Sequence, residues 1–289
     1  MLSPGQRLET ILGVIRAARR RLAFSLFRCD EYQILDELAA ALERGIQIEV
    51  LITPRAKGWG KRLKNLWIYL ESMGAKMHRY GGAGKYHAKY ILSDDGPALI
   101  ASLNFTKRCL AKTNDFLVVT HDPAVVTGLR ALFEADCRAP ESSMPEGLTE
   151  RLVVGPDQAR QRIGDMIRQA QRRIRIVDHK VTDPEMLAAL DARLDAGVQI
   201  ELLGSGAFRK LRSHGKLLLI DDKLAMMGSI SLSRPGLNDR REVAILVDDP
   251  AIIHQLGDHF QTLAKAPVSA MDAGEDEDED DEEEESEED

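Results

Sequence analysis

Cysteine is scarce in this 289-residue chain, and what little there is excludes a great deal. The three residues Cys29, Cys109 and Cys137 cannot all pair, and none falls in a Cys-x-x-Cys spacing. A disulfide scaffold and a cysteine-rich zinc site are therefore excluded, and reduced thiols in a cytoplasmic protein are expected. No cluster of carboxylates is suited to Mg²⁺ or Zn²⁺, so no metal and no cofactor is expected. Nowhere do some 18 apolar residues run together, which excludes a spanning helix. Glu9 and the basic cluster Arg19–Arg21 interrupt the apolar residues near the start, so no signal-peptide core is present there. Peripheral contact with a membrane remains compatible with all of this.

What is present begins with charge. The formal net charge is −8, but residues 272–289 alone hold 15 acidic side chains and no basic one, leaving the rest at +7. A basic body favours polyanionic partners such as phospholipid head groups or nucleic acid. The acidic tail has too little apolar surface to offset the entropy of ordering and is expected to be disordered. It serves either to solubilise the chain or to compete, as an internal polyanion, for the basic body.

The chain also resembles itself. At an offset of 152, Arg20-Arg21 falls on Arg172-Arg173, and the run from Gly45 to Glu49 falls on Gly197 to Glu201. At an offset of 127, His87 falls on His214, Lys89 on Lys216, Asp94 on Asp221, Ser102 on Ser229, and Asp122-Pro123-Ala124 on Asp249-Pro250-Ala251. The offsets differ by 25 residues, which marks an insertion in the first half between about Thr53 and Gly84. The expected organisation is a first half over 1–137, a linker over 138–152 containing Pro140, Ser142, Ser143, Pro145 and Gly147, a second half over 153–268, and the tail over 269–289.

Each half reads as helix, strand, helix, strand, hairpin and closing helix. Leu8, Ile11, Leu12 and Ile15 recur at helical spacing, Arg21–Phe27 and Ile46–Ile52 are short apolar strands, and Gly45 stops the helix Tyr32–Arg44 between them. The fold class is α/β, with mixed sheets flanked by helices.

The segment from Tyr86 to Asn104 holds two apolar runs separated by Asp95-Gly96, a hairpin signal. A two-residue loop there sets His87 opposite Asn104 and Lys89 opposite Ser102, all on one face. The same construction about Asp222-Lys223 pairs His214 with Ser231 and Lys216 with Ser229. Asp94 and Asp221, at an odd separation from their histidines, face away and are expected to hold the turns.

These residue types suit phosphodiester cleavage, which needs positive charge and donors around the non-bridging oxygens, a nucleophile in line, and an acid for the leaving alkoxide. Lys89, Lys216, Asn104, Ser102 and Ser229 supply the first. One histidine attacks phosphorus and the other protonates the leaving oxygen. Each imidazole also needs an orienting carboxylate. The repeat nominates Asp115 and Glu242, which lie 127 apart and open the apolar strands Phe116–Thr120 and Val243–Val247.

The pattern resembles the phospholipase D superfamily, whose signature is His-x-Lys-x4-Asp followed by Gly-Ser-x-Asn. The copies here are His87-x-Lys89-x4-Asp94 with Ala101-Ser102-Leu103-Asn104, and His214-x-Lys216-x4-Asp221 with Gly228-Ser229-Ile230-Ser231. The resemblance covers nearly everything before the tail. It implies two similar halves related by a pseudo-two-fold axis, His87 as nucleophile and His214 as general acid and base, with catalysis free of metal. Ala101 and Ser231 depart from the signature and imply an asymmetric but functional phosphate site.

Phospholipid is the expected substrate class, by phospholipase D or cardiolipin synthase-like phosphatidyl transfer; a nuclease and an inactive phosphate-binding module are the alternatives. With both motifs in one chain the expected state is a monomer. The remaining histidines (His78, His121, His179, His254 and His259) are expected to be structural. Arg28 and Lys180 are candidates to line the phosphate pocket. The insertion, with Lys57, Trp59, Lys61, Arg62, Lys64, Trp67 and Tyr69, reads as a helix packing Leu63, Leu66, Trp67 and Leu70, or as a surface for lipid or nucleic acid.

Overall fold

The computed structural model describes residues 4–94, 96–138, 144–204, 207–208, 211–265 and 268–269. Linker residues 139–143 and tail residues 270–289 lie outside that set. The first half runs α1 (Pro4–Ala17), β1 (Arg21–Leu26), α2 (Tyr32–Glu43), β2 (Gln47–Ile52), α3 (Gly60–Ser72), β3 (Lys76–Arg79), β4 (Lys85–Tyr86), β5 (Tyr90–Ser93), β6 (Ala98–Ala101), α4 (Lys107–Lys112), β7 (Thr113–Asn114), β8 (Leu117–Thr120) and α5 (Pro123–Arg138). The second runs β9 (Leu152–Gly155), α6 (Ala159–Gln169), β10 (Arg173–Val177), α7 (Pro184–Asp195), β11 (Gln199–Leu203), β12 (Ala207–Phe208), β13 (Leu211–Ser213), β14 (Lys216–Ile220), β15 (Leu224–Gly228), a π-helical turn (Pro235–Asp239), β16 (Arg240–Val247), α8 (Pro250–Ala264) and β17 (Val268–Ser269).

The fold is α/β, with two mixed sheets flanked by helices. One sheet has the order β3-β2-β1-β5-β6-β8, and the other β11-β10-β14-β15-β16-β4, with β9 also on β16. In both, a parallel pair (β1 with β2, β10 with β11) is followed by an antiparallel hairpin on the other side of its central strand. The apolar runs of β1 and β5 are buried on both faces, which is why they lack alternation. On one side, Ile11, Ile15, Ile34 and Leu38 from α1 and α2 pack with Phe24 and Val50. On the other, Phe133 of α5 and Phe260 of α8 join Tyr90, Leu92, Leu217 and Val243 in a core shared by both halves. The insertion contributes α3 and β3, and α3 buries Leu63, Leu66 and Leu70, with Trp67 partly covered.

Two short strands cross between the halves. β4 of the first half pairs in parallel with β16 of the second (Lys85 with Arg240, Tyr86 with Arg241). β13 of the second pairs in parallel with β7 of the first (Arg212 with Thr113, Ser213 with Asn114). Each His-x-Lys motif therefore lies where the chain passes from one sheet to another.

The hairpin registers differ from the expected ones by one residue. Lys89 stands opposite Ala101, through an amide of Ala101 donating to the Lys89 carbonyl at 3.0 Å, and Lys216 stands opposite Gly228. His87 and His214 precede the ladders and pair with neither Asn104 nor Ser231 there. The cause is the turn, which takes three residues and not two. Ser93 donates its amide to the Pro97 carbonyl at 3.1 Å, and Ile220 pairs with Leu224. The extra residue is the motif aspartate, held in the left-handed region at φ 43° (Asp94) and 55° (Asp221), a conformation that aspartate tolerates better than most side chains.

Candidate active site

Each turn aspartate gathers three backbone amides. The Asp94 carboxylate accepts from the amides of Arg19, Arg20 and Arg21 at 2.7–3.0 Å, and Asp221 accepts from those of Gln171, Arg172 and Arg173 at 2.7–2.9 Å. These bonds hold both carboxyl groups below the usual range, against the opposing pull of desolvation. They also pin the start of the central strand to the far end of the hairpin, so the motif enters its sheet at a fixed place.

At the other end of those strands the two motifs come together. His87 Nδ1 lies 2.9 Å from Glu242 Oε1, and His214 Nδ1 lies 2.8 Å from Asp115 Oδ1. The pairing is crossed, because each histidine takes its carboxylate from the other half. The crossing strands produce it. β4 delivers His87 beside β16, where the His87 amide donates to the Arg241 carbonyl at 2.9 Å, one residue before Glu242. β13 delivers His214 beside β7, where the Gly215 amide donates to the Asn114 carbonyl at 2.8 Å, one residue before Asp115. A Cβ on Gly215 would collide with that carbonyl and with the Phe116 ring, so the approach requires glycine.

The lysines are almost fully buried, yet each Nζ donates to the carbonyl of its own motif histidine: Lys89 to His87 at 2.7 Å and Lys216 to His214 at 2.8 Å. Lys216 acts electrostatically on both Asp115 and Glu242, and Lys89 acts on Glu242. The two motifs thus share one electrostatic neighbourhood.

The two carboxylates differ in charge state. Burial pushes both up, but at Asp115 the bonded His214 imidazole, Lys216 and the Ser102 hydroxyl outweigh burial and hold the group well below the ordinary carboxylate range. At Glu242, desolvation wins over Lys89, Arg240 and the Ser229 hydroxyl, and the group is pushed up to about 7.

Ser102 and Ser229 are committed to these acid strands. Ser102 Oγ donates to Asp115 Oδ1 at 2.6 Å and accepts from the Phe116 amide at 2.9 Å. Ser229 Oγ accepts from the Val243 amide at 3.1 Å. Asn104 is buried with its Oδ1 lacking a hydrogen-bond partner, whereas Ser231 Oγ lies 2.8 Å from Ser233 Oγ. The position where the halves differ in residue type therefore also differs in how its side chain is occupied.

Sequence reasoning missed three participants. His179, expected to be structural, stacks on His214 with ring centroids 5.9 Å apart and planes 17° apart; Phe27 packs edge-on against His87 at 4.7 Å. Phe27 and His179 are 152 apart, so the longer of the two offsets carried the signal. Arg7 is buried beneath Asp115, donating to the carbonyls of Thr113 at 2.7 Å and Asp115 at 3.1 Å. No sequence signal singles out Arg7, which is one of several arginines near the start of the chain.

Among the described residues, Cys109, Asp115 and His214 offer ligand atoms within 4.8 Å of one another. The donor set does not suit a cation. Both Asp115 oxygens already accept hydrogen bonds from hydroxyls, of Ser102 and Thr113, and the Arg7 guanidinium adds positive charge beside the cluster. A metal would have to displace these bonds and be repelled by that charge. No described helix is long and apolar enough to cross a membrane.

A family model described as cardiolipin synthase, PLD-like domain, matches residues 11–137 and 205–264, more than half of the chain. No curated protein sequence matches. Among solved structures, phosphatidylserine synthase from Haemophilus influenzae Rd KW20 is similar with a TM-score of 0.72 at 14% identity, over 93% of this chain and 86% of that one. Polyphosphate kinase from Porphyromonas gingivalis is similar with a TM-score of 0.72 at 17% identity, over 94% of this chain and 51% of that one, so the chain spans about half that enzyme's length. At these identities the likeness establishes a common fold.

Proposed function

The chain belongs to the cardiolipin synthase, phospholipase D-like family of phosphodiester transferases and hydrolases, and from that membership we propose that it cleaves phospholipids through a covalent phosphohistidine and passes the phosphatidyl group to water or an alcohol. The observation that carries the reading is the crossed pairing of His87 with Glu242 and His214 with Asp115. With each Nδ1 donating to a carboxylate, the chemistry falls to Nε2.

His87 Nε2 attacks phosphorus as the bond to the leaving oxygen breaks, and that oxygen takes its proton from His214. His214, now neutral, removes a proton from the incoming water or alcohol, which displaces His87 from phosphorus. Lys89 and Lys216 balance charge on the non-bridging oxygens, and the Asn104 amide donates a hydrogen bond to them. Ser102 and Ser229 act as positioning residues for the acid strands. The division of roles follows the carboxylates. Asp115, held well below the ordinary carboxylate range, steadies a protonated His214, as an acid requires, whereas Glu242, pushed up by desolvation, gives less support to a proton on His87 and keeps it nucleophilic.

Lipid is favoured as substrate because the matching family model is that of cardiolipin synthase, and the similar Haemophilus protein is a phosphatidylserine synthase. The test offers phosphatidylglycerol or phosphatidylcholine vesicles, and single- and double-stranded DNA, all with EDTA present. Turnover of lipid alone is expected. Cleavage of DNA without lipid turnover replaces the lipid reading by a nuclease, and no turnover of either, with intact phosphate binding, leaves an inactive module.

A further inference from the structure

The segment that carries His87 is held from behind by a buried polar group that has no copy behind His214. Tyr86, immediately before His87, is completely buried, and its hydroxyl lies 2.7 Å from Ser25 Oγ of β1. The Ser25 hydroxyl donates to the carbonyl of Ala88, immediately after His87, at 3.2 Å. Tyr86 is also the register partner of Arg241, whose carbonyl accepts the His87 amide.

The Arg241 side chain reaches into the contact between the halves. Its Nε lies 3.2 Å from Asp136 Oδ1 of α5, in the first half. Its Nη1 donates to Asp157 Oδ2 at 2.8 Å and to the Gly155 carbonyl at 3.4 Å, in the second half. The Asp136 side chain is wholly buried, acts electrostatically on Tyr80, Tyr86 and Tyr90, and has no hydrogen-bond partner at either oxygen. Burial pushes its carboxyl up to about 7, against the opposing pull of Arg241. One arginine thus ties the strand of Glu242 to the closing helix of the half that supplies His87.

The second motif has no such arrangement. At the two offsets, Tyr86 falls on Ser213, Ser25 on Val177, Arg241 on Asn114 and Asp136 on Leu263. Ser213 Oγ has no hydrogen-bond partner, and Asn114 Oδ1 lies 3.3 Å from His259 Nε2 of α8. The fold around His214 is reached without a buried ion pair, so the fold alone does not call for one around His87. Taking a carboxylate and a guanidinium out of water is unfavourable, and an apolar contact such as that of Leu263 avoids it.

Resting on the roles given above to the two histidines, we infer that Arg241 and Asp136 are positioning residues for His87: they set β16 against residues 86–88 so that Glu242 Oε1 meets His87 Nδ1, while the Asp115–His214 contact does not depend on them. The ladder between β4 and β16 explains the need. It holds two register pairs, Lys85 with Arg240 and Tyr86 with Arg241, and a slip of one residue would turn Glu242 to the other face. The Arg241 tie fixes one side of that ladder, and the Ser25 bridge fixes the other.

The experiment removes both charges at once, in Asp136→Leu/Arg241→Met, because a paired deletion leaves no uncompensated ion in the core. Two properties of the full chain are read: kcat and KM on phosphatidylglycerol vesicles, and the exchange with water of the His87 and His214 Nδ1 protons by nitrogen-15 NMR. The expected result is a kcat about tenfold lower with KM within about twofold, and a His87 proton that exchanges about tenfold faster while that of His214 keeps its rate. Arg175→Met/Asp222→Asn removes another largely buried ion pair, 2.9 Å apart in the second sheet, and is expected to lower the melting temperature without moving either proton or kcat. Equal acceleration at both histidines, no change at His87, or the same loss of kcat in that control overturns the inference. If the double variant does not fold, Ser25→Ala/Tyr86→Phe takes its place, since it removes both hydroxyls of one hydrogen bond at little cost in stability. A His87 proton that then exchanges a few-fold faster, with His214 unchanged, supports the inference, and an unchanged His87 proton overturns it. If the wild type turns over no lipid, the functional reading fails by itself, and the NMR comparison still decides whether Arg241 and Asp136 set the His87–Glu242 contact.

Discussion

His87 and His214 have neighbours of the same kind arranged by equivalent strands, yet the surroundings of the two differ in charge and in ring partner. His214 has an aspartate held well below the ordinary carboxylate range and a second imidazole stacked on its face. His87 has a glutamate pushed up to about 7 and a phenylalanine ring at its edge. The sequence repeats the imidazole, and the differences in what surrounds the two copies are the ground on which the proposed function assigns one to hold a proton and the other to do without it.

The largest expected effects come from removing the imidazoles. His87→Ala should lower turnover by about 10⁴-fold or more, on the scale seen when a nucleophile is lost. His214→Ala should slow the second step and let a phosphorylated His87 accumulate, visible as a mass increment in that peptide; an adduct on His214 would reverse the roles. Next come the carboxylates. Asp115→Asn should cost on the order of 10³-fold in kcat, because it removes a full charge from beside the acid, whereas Glu242→Gln should cost about tenfold, since near neutral pH it removes only part of one. Equal losses at pH 7 would dissolve the proposed asymmetry.

The same difference should show in stability. Glu242 and Asp136 are both raised to about 7 by burial, so the folded chain binds more protons than the unfolded one between the ordinary carboxylate range and pH 7. Their contribution is full at pH 4, declines as pH rises, and is gone above about pH 7. Asp115 is displaced downward and contributes with the opposite slope, losing its stabilisation only in stronger acid. Thermal melts from pH 4 to 8 should therefore show Asp136→Asn and Glu242→Gln flattening the decline towards neutrality, each by on the order of a few kcal/mol at most, and Asp115→Asn leaving it in place. The smallest effect is expected from His179→Phe, which makes the two ring contacts alike. It should change kcat a few-fold through the alkaline limb of the pH profile, which a protonated His214 sets; an unchanged limb would return His179 to a purely structural role.

Much of this was legible from residue pattern. Buried strands such as Arg21–Leu26 carry apolar runs that read directly, and the α/β class with its mixed sheets followed from them. The identity of the carboxylates followed from the 127 spacing, but their crossed assignment did not. It depends on two-residue strands, Lys85–Tyr86 and Thr113–Asn114, too short to leave a periodic signal. The hairpin register was off by one because Asp-Gly suggests a two-residue loop, while the aspartate before it was needed to collect backbone amides. His179 escaped because its significance lies in a ring stacked from another strand, which spacing along one motif cannot show.

The crossing of β4 onto β16 and of β13 onto β7 also bears on how the chain can be divided. A break between Arg138 and Met144 would give two fragments, each holding one imidazole and the acid that belongs to the other. Neither could orient its own histidine. Mixing them would recreate both pairs at once, so recovery of turnover on titrating one fragment with the other would report their assembly, and its midpoint would measure how strongly the two pieces recognise each other.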